Sequence, residues 1–228
     1  MKKLVVLTGA GISAESGIKT FRDHDGLWEN HRVEDVATYD AWLNNPSLVL
    51  DFYNQRRIEL GNVKPNKAHL DLAELEKDFD VHIITQNVDD LHERAGSSNI
   101  LHLHGELCKV KGENNENEII NIGYTALKIG DKCSQGSQLR PDIVWFGEAV
   151  PKMEDAVQII HKADIVAIIG TSMQVHPAAG LIHYAPADAQ CFYIDPGAKS
   201  ISGVRNLTII AEKATIGVAK MKEILMAK

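Results

Sequence analysis

A few short clusters hold the residue types best suited to chemistry in this chain. The first is Gly9-Ala10-Gly11-Ile12-Ser13-Ala14, which fits G-x-G-x-x-A and follows the apolar run Leu4–Leu7. Glycines there permit a tight turn and close backbone approach to a pyrophosphate at a helix N-terminus. Taken alone, the same pattern also arises where a glycine turn merely joins a strand to a helix. Next stands Gln86-Asn87-Val88-Asp89, whose amides and carboxylate suit hydrogen bonds to a carboxamide and a ribose. A helix N-cap at Asn87 or Asp89 explains these residues equally well. His104, followed by Gly105 and Glu106, is a candidate general base because imidazole titrates near neutrality. His102, two residues earlier on the same strand face, is its main rival. His69 and His92 read as helix-packing or surface residues, and the other histidines carry no local signature. Gly170-Thr171-Ser172 and Asp195-Pro196-Gly197 complete the set.

These clusters need elements to position them. Each follows an apolar run that reads as a strand: Leu4–Leu7, Val81–Thr85, Ile100–Leu103, Ile165–Ile169 and Cys191–Ile194. Leu207–Ile210 is one more strand. Helical spacing intervenes at Ala68, Leu72 and Leu75 behind an Asn66 cap, then in a stretch through Leu91. It recurs at Ala156, Ile159, Ile160 and Ala163, and at Val218, Met221 and Leu225. Repeated alternation predicts an α/β fold, a Rossmann-like, mostly parallel sheet with helices on both faces. In such a sheet ligands bind beyond the carboxyl ends of the strands, where the five clusters fall. Two stretches interrupt the pattern. Residues 28–61 hold two tryptophans and helical patterns without an obvious strand, and residues 108–141 are polar around Lys111–Glu118. They read as two insertions forming a smaller lobe on a dinucleotide-binding domain of residues 1–27, 62–107 and 142–228. A long surface loop is the alternative for the second insertion.

Composition narrows the functions. The 228 residues carry 24 basic and 31 acidic side chains, a net charge of −7, which argues against nucleic-acid or anionic-membrane partners. Three scattered cysteines make no disulfide framework and point to a reducing compartment. The apolar run after Met1-Lys2-Lys3 is too short for a signal peptide, and no stretch spans a membrane, so a soluble, cytoplasmic protein is expected. An ordinary dehydrogenase fits poorly. Its fold needs a second strand ending in an acidic residue about 20 positions after the glycines, and residues 28–40 offer acids without a strand.

Extended through Glu15-Ser16-Gly17-Ile18 to Phe21-Arg22, the glycine loop resembles the first signature of the sirtuins. Gln86–Asp89, His104-Gly105, Val144-Trp145-Phe146-Gly147-Glu148 and Gly170–Ser172 are similar to the family's other motifs, in the same order. The resemblance implies an NAD-dependent protein-lysine deacylase that releases nicotinamide and O-acyl-ADP-ribose. On that basis Gly9, Ala10, Gly11, Ser13, Ala14, Gly17, Ile18, Phe21 and Arg22 would hold NAD, together with Gly170, Thr171, Ser172, Asp195, Pro196 and Ala214. Gln86, Asn87 and Asp89 would set the nicotinamide end, and His104 would act as base toward a ribose hydroxyl. Val144, Phe146, Gly147 and Glu148, with Val175, would meet the acylated-lysine peptide as an added strand. Tyr53 and Arg56, with Ala37, resemble the pocket of the branch that removes succinyl and malonyl groups. Read without the family, they are a surface arginine beside a half-buried tyrosine.

One departure from the family stands out. Most sirtuins place four zinc-binding cysteines after the catalytic histidine, whereas residues 105–141 here contain only Cys108 and Cys133. Gly112 stands near where the first would be. A structural zinc needs four ligands, so no metal is expected, and the lobe would rest on packing through Ile119, Ile120, Ile122, Tyr124 and Leu127. Protein mono-ADP-ribosylation, an NAD-linked oxidoreductase and a non-catalytic NAD sensor are the rival functions.

Overall fold

The computed structural model describes residues 1–19, 27–28 and 31–227; Phe21 and Arg22 lie outside them. The chain begins with β1 (Lys3–Thr8), followed by two short 3-10 turns, Ala10–Ile12 and Ala14–Ser16. A two-residue antiparallel ladder joins β2 (Leu27–Trp28) to β3 (His31–Arg32). Then come α1 (Val33–Val36), α2 (Tyr39–Asn44), α3 (Pro46–Asn62) and α4 (Lys67–Leu75). The run β4 (Asp80–Thr85), α5 (Leu91–Ala95) and β5 (Ile100–His102) precedes an antiparallel trio, β6 (Gly105–Gly112), β7 (Asn115–Asn121) and β8 (Leu139–Ile143). The remainder is α6 (Met153–Ile160), β9 (Ile165–Ile169), β10 (Gln190–Ile194), β11 (Leu207–Ile210) and α7 (Ala214–Met226).

The main sheet has the order β11-β10-β9-β1-β4-β5, and every pairing in it is parallel. Strands covered on both faces must be apolar at successive positions, and β1 and β9 meet that demand. Leu4 and Val6 pack with Ile165, Ala167 and Ile169 on one face, against α4 and α7. Val5 and Leu7 pack with Val166 and Ile168 on the other, against α6 and the 3-10 stretch Ala178–Tyr184. Asn66 caps α4 by accepting from Ala68 N–H, and Asn45 caps α3 ahead of Pro46. Among the described residues, no helix is long and apolar enough to cross a membrane.

A third apolar cluster draws on both insertions. Val36, Ala41, Trp42, Phe52 and Tyr53 of the first pack with Leu107, Val110, Leu127, Leu139 and Trp145 from the second and its flanks. The β6–β8 sheet starts three residues before the expected insertion and ends two after it, at Gly105 and Ile143. Arg57 is fully buried and ties the halves together, donating from Nε to the Leu107 carbonyl (2.8 Å) and from Nη1 to Asn54 Oδ1 (2.8 Å).

Several expectations need correction. The first insertion contains the β2–β3 ladder where no strand was expected. The helical stretch assigned up to Leu91 starts there instead, because residues 86–90 are a loop. Ala163 lies beyond the end of α6. Ile119 and Tyr124, expected to support the lobe, are 54% and 39% exposed, since alternate residues of the edge strand and the turn after it face water. Leu127 is buried, and Ile120 and Ile122 pack against the cluster.

Candidate active site

The chain runs from β1 to β4 and β5 on one side and reaches β9, β10 and β11 on the other, so the strand order reverses beside β1. A crevice at such a switch point is the ligand site of open parallel sheets. The loops leaving β1 and β9 meet there. Gly11 N–H donates to the Gly170 carbonyl (2.8 Å). A Cβ on Gly9 would lie 2.7 Å from Thr171 Cβ, and one on Gly11 would lie 2.7 Å from Gly170 Cα. Gly170 has φ +63°, and a Cβ on it would lie 2.2 Å from Ile12 N. The glycines therefore serve first to interlock two loops. No helix follows them; the 3-10 turns end at Gly17 in the left-handed region (φ +97°), which corrects the expected helix N-terminus. Gly170→Ala is expected to separate the loops, raising the dissociation constant for NAD at least about tenfold and lowering the melting temperature, through backbone strain and overpacking. Calorimetric NAD titration and thermal melting test this.

The loops border a cleft of about 1310 Å³ that runs from the end of β10 to the small lobe. Most of the sequence-derived residues line it. On the glycine-loop side these are Gly9, Ala10, Gly11, Ala14, Gly17 and Ile18, with Gly170, Thr171, Ser172, Asp195, Pro196 and Ala214 opposite. Gln86, Asn87, Asp89 and His104 line its middle, and Ala37, Tyr53, Arg56, Val144, Phe146, Gly147, Glu148 and Val175 its far end. Ser13 is fully buried behind the wall. It receives a hydrogen bond from Asn87 Nδ2 (3.2 Å) and donates one to Asp89 Oδ2 (2.9 Å). Asn87 also donates to the Gly9 carbonyl (3.2 Å), which fixes the β4 loop to the glycine loop.

Neither Asn87 nor Asp89 is the N-cap of α5, which is Asp90, although Asp89 Oδ1 accepts from Leu91 N–H (3.2 Å) just ahead of the helix. Burial pushes the Asp89 carboxyl up to about 6, against hydrogen bonds from Ser13 and Leu91 and the positive influence of His102. His104 Nδ1 lies 3.1 Å from the Gln86 carbonyl. A carbonyl only accepts, so Nδ1 carries a proton, and in the neutral ring Nε2 keeps its lone pair. Burial lowers the His104 pKa, and the Gln86 bond offsets this in part. The imidazole is neutral at pH 7 and able to take a proton. Its rival His102 is separated from it by the end of β5, is 4% exposed and does not line the cleft.

At the far end the acyl-pocket residues come together. Tyr53 and Arg56 sit three apart on α3, and Tyr53 Oη accepts from Trp145 Nε1 (2.9 Å). Arg56 donates from Nε and Nη2 to both carboxylate oxygens of Glu59 (3.0 Å each) and stacks 4.9 Å above the Phe52 ring. The segment Val144–Glu148 differs from a free extended strand. Val144 N–H donates to the His104 carbonyl, Phe146 N–H to that of Ala37, and Glu148 N–H to that of Trp145. The Glu148 carboxylate accepts from Trp145 N–H and takes a two-point bond from Arg140 (2.9 and 3.0 Å), whose guanidinium covers the Trp145 ring at 3.7 Å. Glu148 thus shapes this turn. Trp145 and Glu59 escaped the sequence reading of the pocket. Their signal was present only as positions beside Phe146 and one turn after Arg56.

The donor set fits NAD and does not fit zinc. The interlocked glycines leave backbone against the cleft where a diphosphate needs close approach. For zinc, Cys108 Sγ lies 3.9 Å from Asp90 Oδ2, and Cys133 Sγ lies 3.0 Å from Ser137 Oγ. A Cβ on Gly112 would be 3.0 Å from Cys133 Sγ, so the position facing that thiol carries no side chain. Among the described residues, the one trio of His, Cys, Asp or Glu ligand atoms in mutual reach is Glu93, His102 and Glu106, which lies elsewhere. The protein is expected to keep its melting temperature and activity in a strong chelator, and elemental analysis to find less than stoichiometric zinc. Metal that supports folding would instead be lost together with stability.

A parallel α/β sheet with an interlocked glycine crevice at its switch point and a small lobe over it belongs to the class that binds a dinucleotide there. Residues 9–177 match the Sir2 family, and the chain belongs to that family. Two relatives named NAD-dependent protein deacylase are close in sequence. The one from Helicobacter pylori is 58% identical over 94% of this chain and 93% of its own. The one from Bacteroides thetaiotaomicron is 53% identical over 99% of both chains. A Sir2 homologue solved as its NAD complex superimposes with a TM-score of 0.88 at 39% identity, covering 99% of this chain and 90% of the other.

Proposed function

We propose that this chain is an NAD-dependent protein-lysine deacylase that removes succinyl and malonyl as well as acetyl groups, yielding nicotinamide and O-acyl-ADP-ribose. The observation that carries the reading is His104, neutral and with Nε2 as an acceptor, in the same cleft as the glycine crevice and the Asn87–Ser13–Asp89 chain. NAD supplies an electrophilic ribose carbon once nicotinamide departs. The chain's own residues do the rest. Asn87 and Asp89 are held by Ser13 at the nicotinamide end, in a buried wall that keeps water from the reacting carbon. His104 takes the proton of a ribose hydroxyl. Because its pKa is lowered, kcat/KM for the peptide at saturating NAD is expected to be flat near neutrality and to fall only as pH drops below the ordinary histidine range. A falling limb centred above neutrality on the acid side would contradict this assignment.

The acyl preference rests on the far end of the cleft. An acid-ended acyl chain entering between Ala37, Tyr53 and Trp145 needs a partner for its carboxylate. Arg56, whose Nε–Nη2 edge holds Glu59, brings its guanidinium charge to the cleft wall for such a group to accept from, and Tyr53 adds a hydroxyl. Acetyl-, malonyl- and succinyl-lysine forms of one peptide, compared by kcat/KM, test the reading. Acid-acyl turnover at least comparable to deacetylation is expected; deacetylation alone would sink the acid-acyl half and leave the deacylase half standing.

A further inference from the structure

Under the cleft, β5 uses its end to hold the loop after β4. His104 bonds the Gln86 carbonyl, and His102 bonds the next one, placing Nδ1 2.9 Å from the Asn87 carbonyl. His102 Nε2 lies 2.7 Å from Glu93 Oε1 on α5. A carbonyl and a carboxylate both only accept, so each ring nitrogen must carry a proton. His104 is thus the neutral member of the pair and His102 the charged one. We propose that His102 is a positioning residue, an imidazolium that cross-links Glu93 to the Asn87 carbonyl and so sets Asn87 and Asp89 for NAD.

The surroundings agree with this geometry. Asn87 is held from the other side, where its side chain donates to Gly9 and Ser13 and its N–H to Thr85 Oγ1. The His102 bond closes the remaining direction. Burial alone pulls the His102 pKa down, but the Glu93 hydrogen bond and charge, with the Asn87 carbonyl, raise it above the ordinary value. Burial pushes the Glu93 carboxyl up, but the His102 hydrogen bond and charge, with smaller help from its own backbone and Lys109, together bring it below the ordinary value. The other groups facing the ring fit the same assignment. Glu106 of β6 adds negative charge and is itself paired with Lys109 (2.7 Å). His92 of α5 is held neutral by burial, and Asp89 gains from the positive charge nearby. A cation bridging Glu93, His102 and Glu106 is the competing occupant of this geometry. The 2.7 Å separation of Nε2 from Oε1 suits a shared proton better than an intervening metal.

A raised pKa makes the clamp complete below the ordinary histidine value and removes it as pH rises through the folded value. The inference rests on this cleft being the NAD site, and direct NAD titration without peptide separates the two. In the wild-type protein the NAD dissociation constant is expected to rise about tenfold between about pH 6 and pH 9, across the upper part of the histidine range. Glu93→Gln, at a half-exposed position, is expected to move this weakening to lower pH. His102→Gln is expected to bind weakly at every pH, with no alkaline limb. A purely structural histidine would lower the melting temperature and leave the alkaline limb in place. NAD binding that is independent of pH, or a limb unmoved in Glu93→Gln, would overturn the positioning role. So would micromolar zinc inhibition relieved by His102→Gln. Failure to bind NAD at any pH would overturn the site itself.

Discussion

His104→Ala is expected to cut kcat for every acyl-lysine substrate by about 10²–10⁴-fold, the usual loss when a general base is removed. The melting temperature should change little. Among the described residues the His104 side chain makes one polar contact, to the Gln86 carbonyl, while neighbouring Gln86–Asp89 positions are held independently by His102, Thr85 and Ser13. NAD binding without peptide should persist. That combination separates a proton acceptor from a residue that supports the fold. A folded His104→Ala protein turning over at near wild-type rate would move the base elsewhere. His102 could not replace it without exchanging both of its partners, the Asn87 carbonyl and Glu93.

Arg56→Met should raise the Michaelis constant for succinyl-lysine by about 10- to 100-fold, the worth of roughly 1.5–3 kcal/mol in a hydrogen bond to a charged group. Acetyl-lysine should be nearly unaffected, since an acetyl group presents no carboxylate. Arg56 holds Glu59 at two points, and because the Glu59 carboxylate is exposed to water that pair contributes little to stability, about 0–1 kcal/mol. The substitution should therefore leave the fold intact. Equal losses on both substrates would mean that Arg56 supports the cofactor loop rather than the acyl chain.

What the sequence made legible, and what it hid, follows from the range of each interaction. Strands buried on both faces announce themselves as unbroken apolar runs, so Ile165–Ile169 could be bounded to the residue. The Asn66 cap was equally visible, because a cap is a contact between neighbours in sequence. The motif glycines were legible as a loop, but their interlock with Gly170 is a contact between distant segments. A helix was therefore expected where 3-10 turns occur. Period-two reasoning put His102 and His104 on one face, and it failed because β5 ends at His102. The second insertion gave a weak signal for the same physical reason that its edge is wet: Ile119 faces water, so burial does not follow apolarity there. Arg57 was the least legible. Nothing local distinguishes a surface arginine from one whose guanidinium is sequestered to satisfy the Leu107 carbonyl.

The central claim is that NAD is consumed in step with removal of an acyl group from lysine. The most direct test incubates the wild-type protein with NAD and one acyl-lysine peptide, following nicotinamide release and peptide mass together. One nicotinamide released for each acyl group lost, with neither occurring when NAD or the acyl group is omitted, is the expected result. Nicotinamide release with an unchanged acyl-peptide, or with ADP-ribose attached to it, would contradict the account, as would reduction of NAD without nicotinamide release.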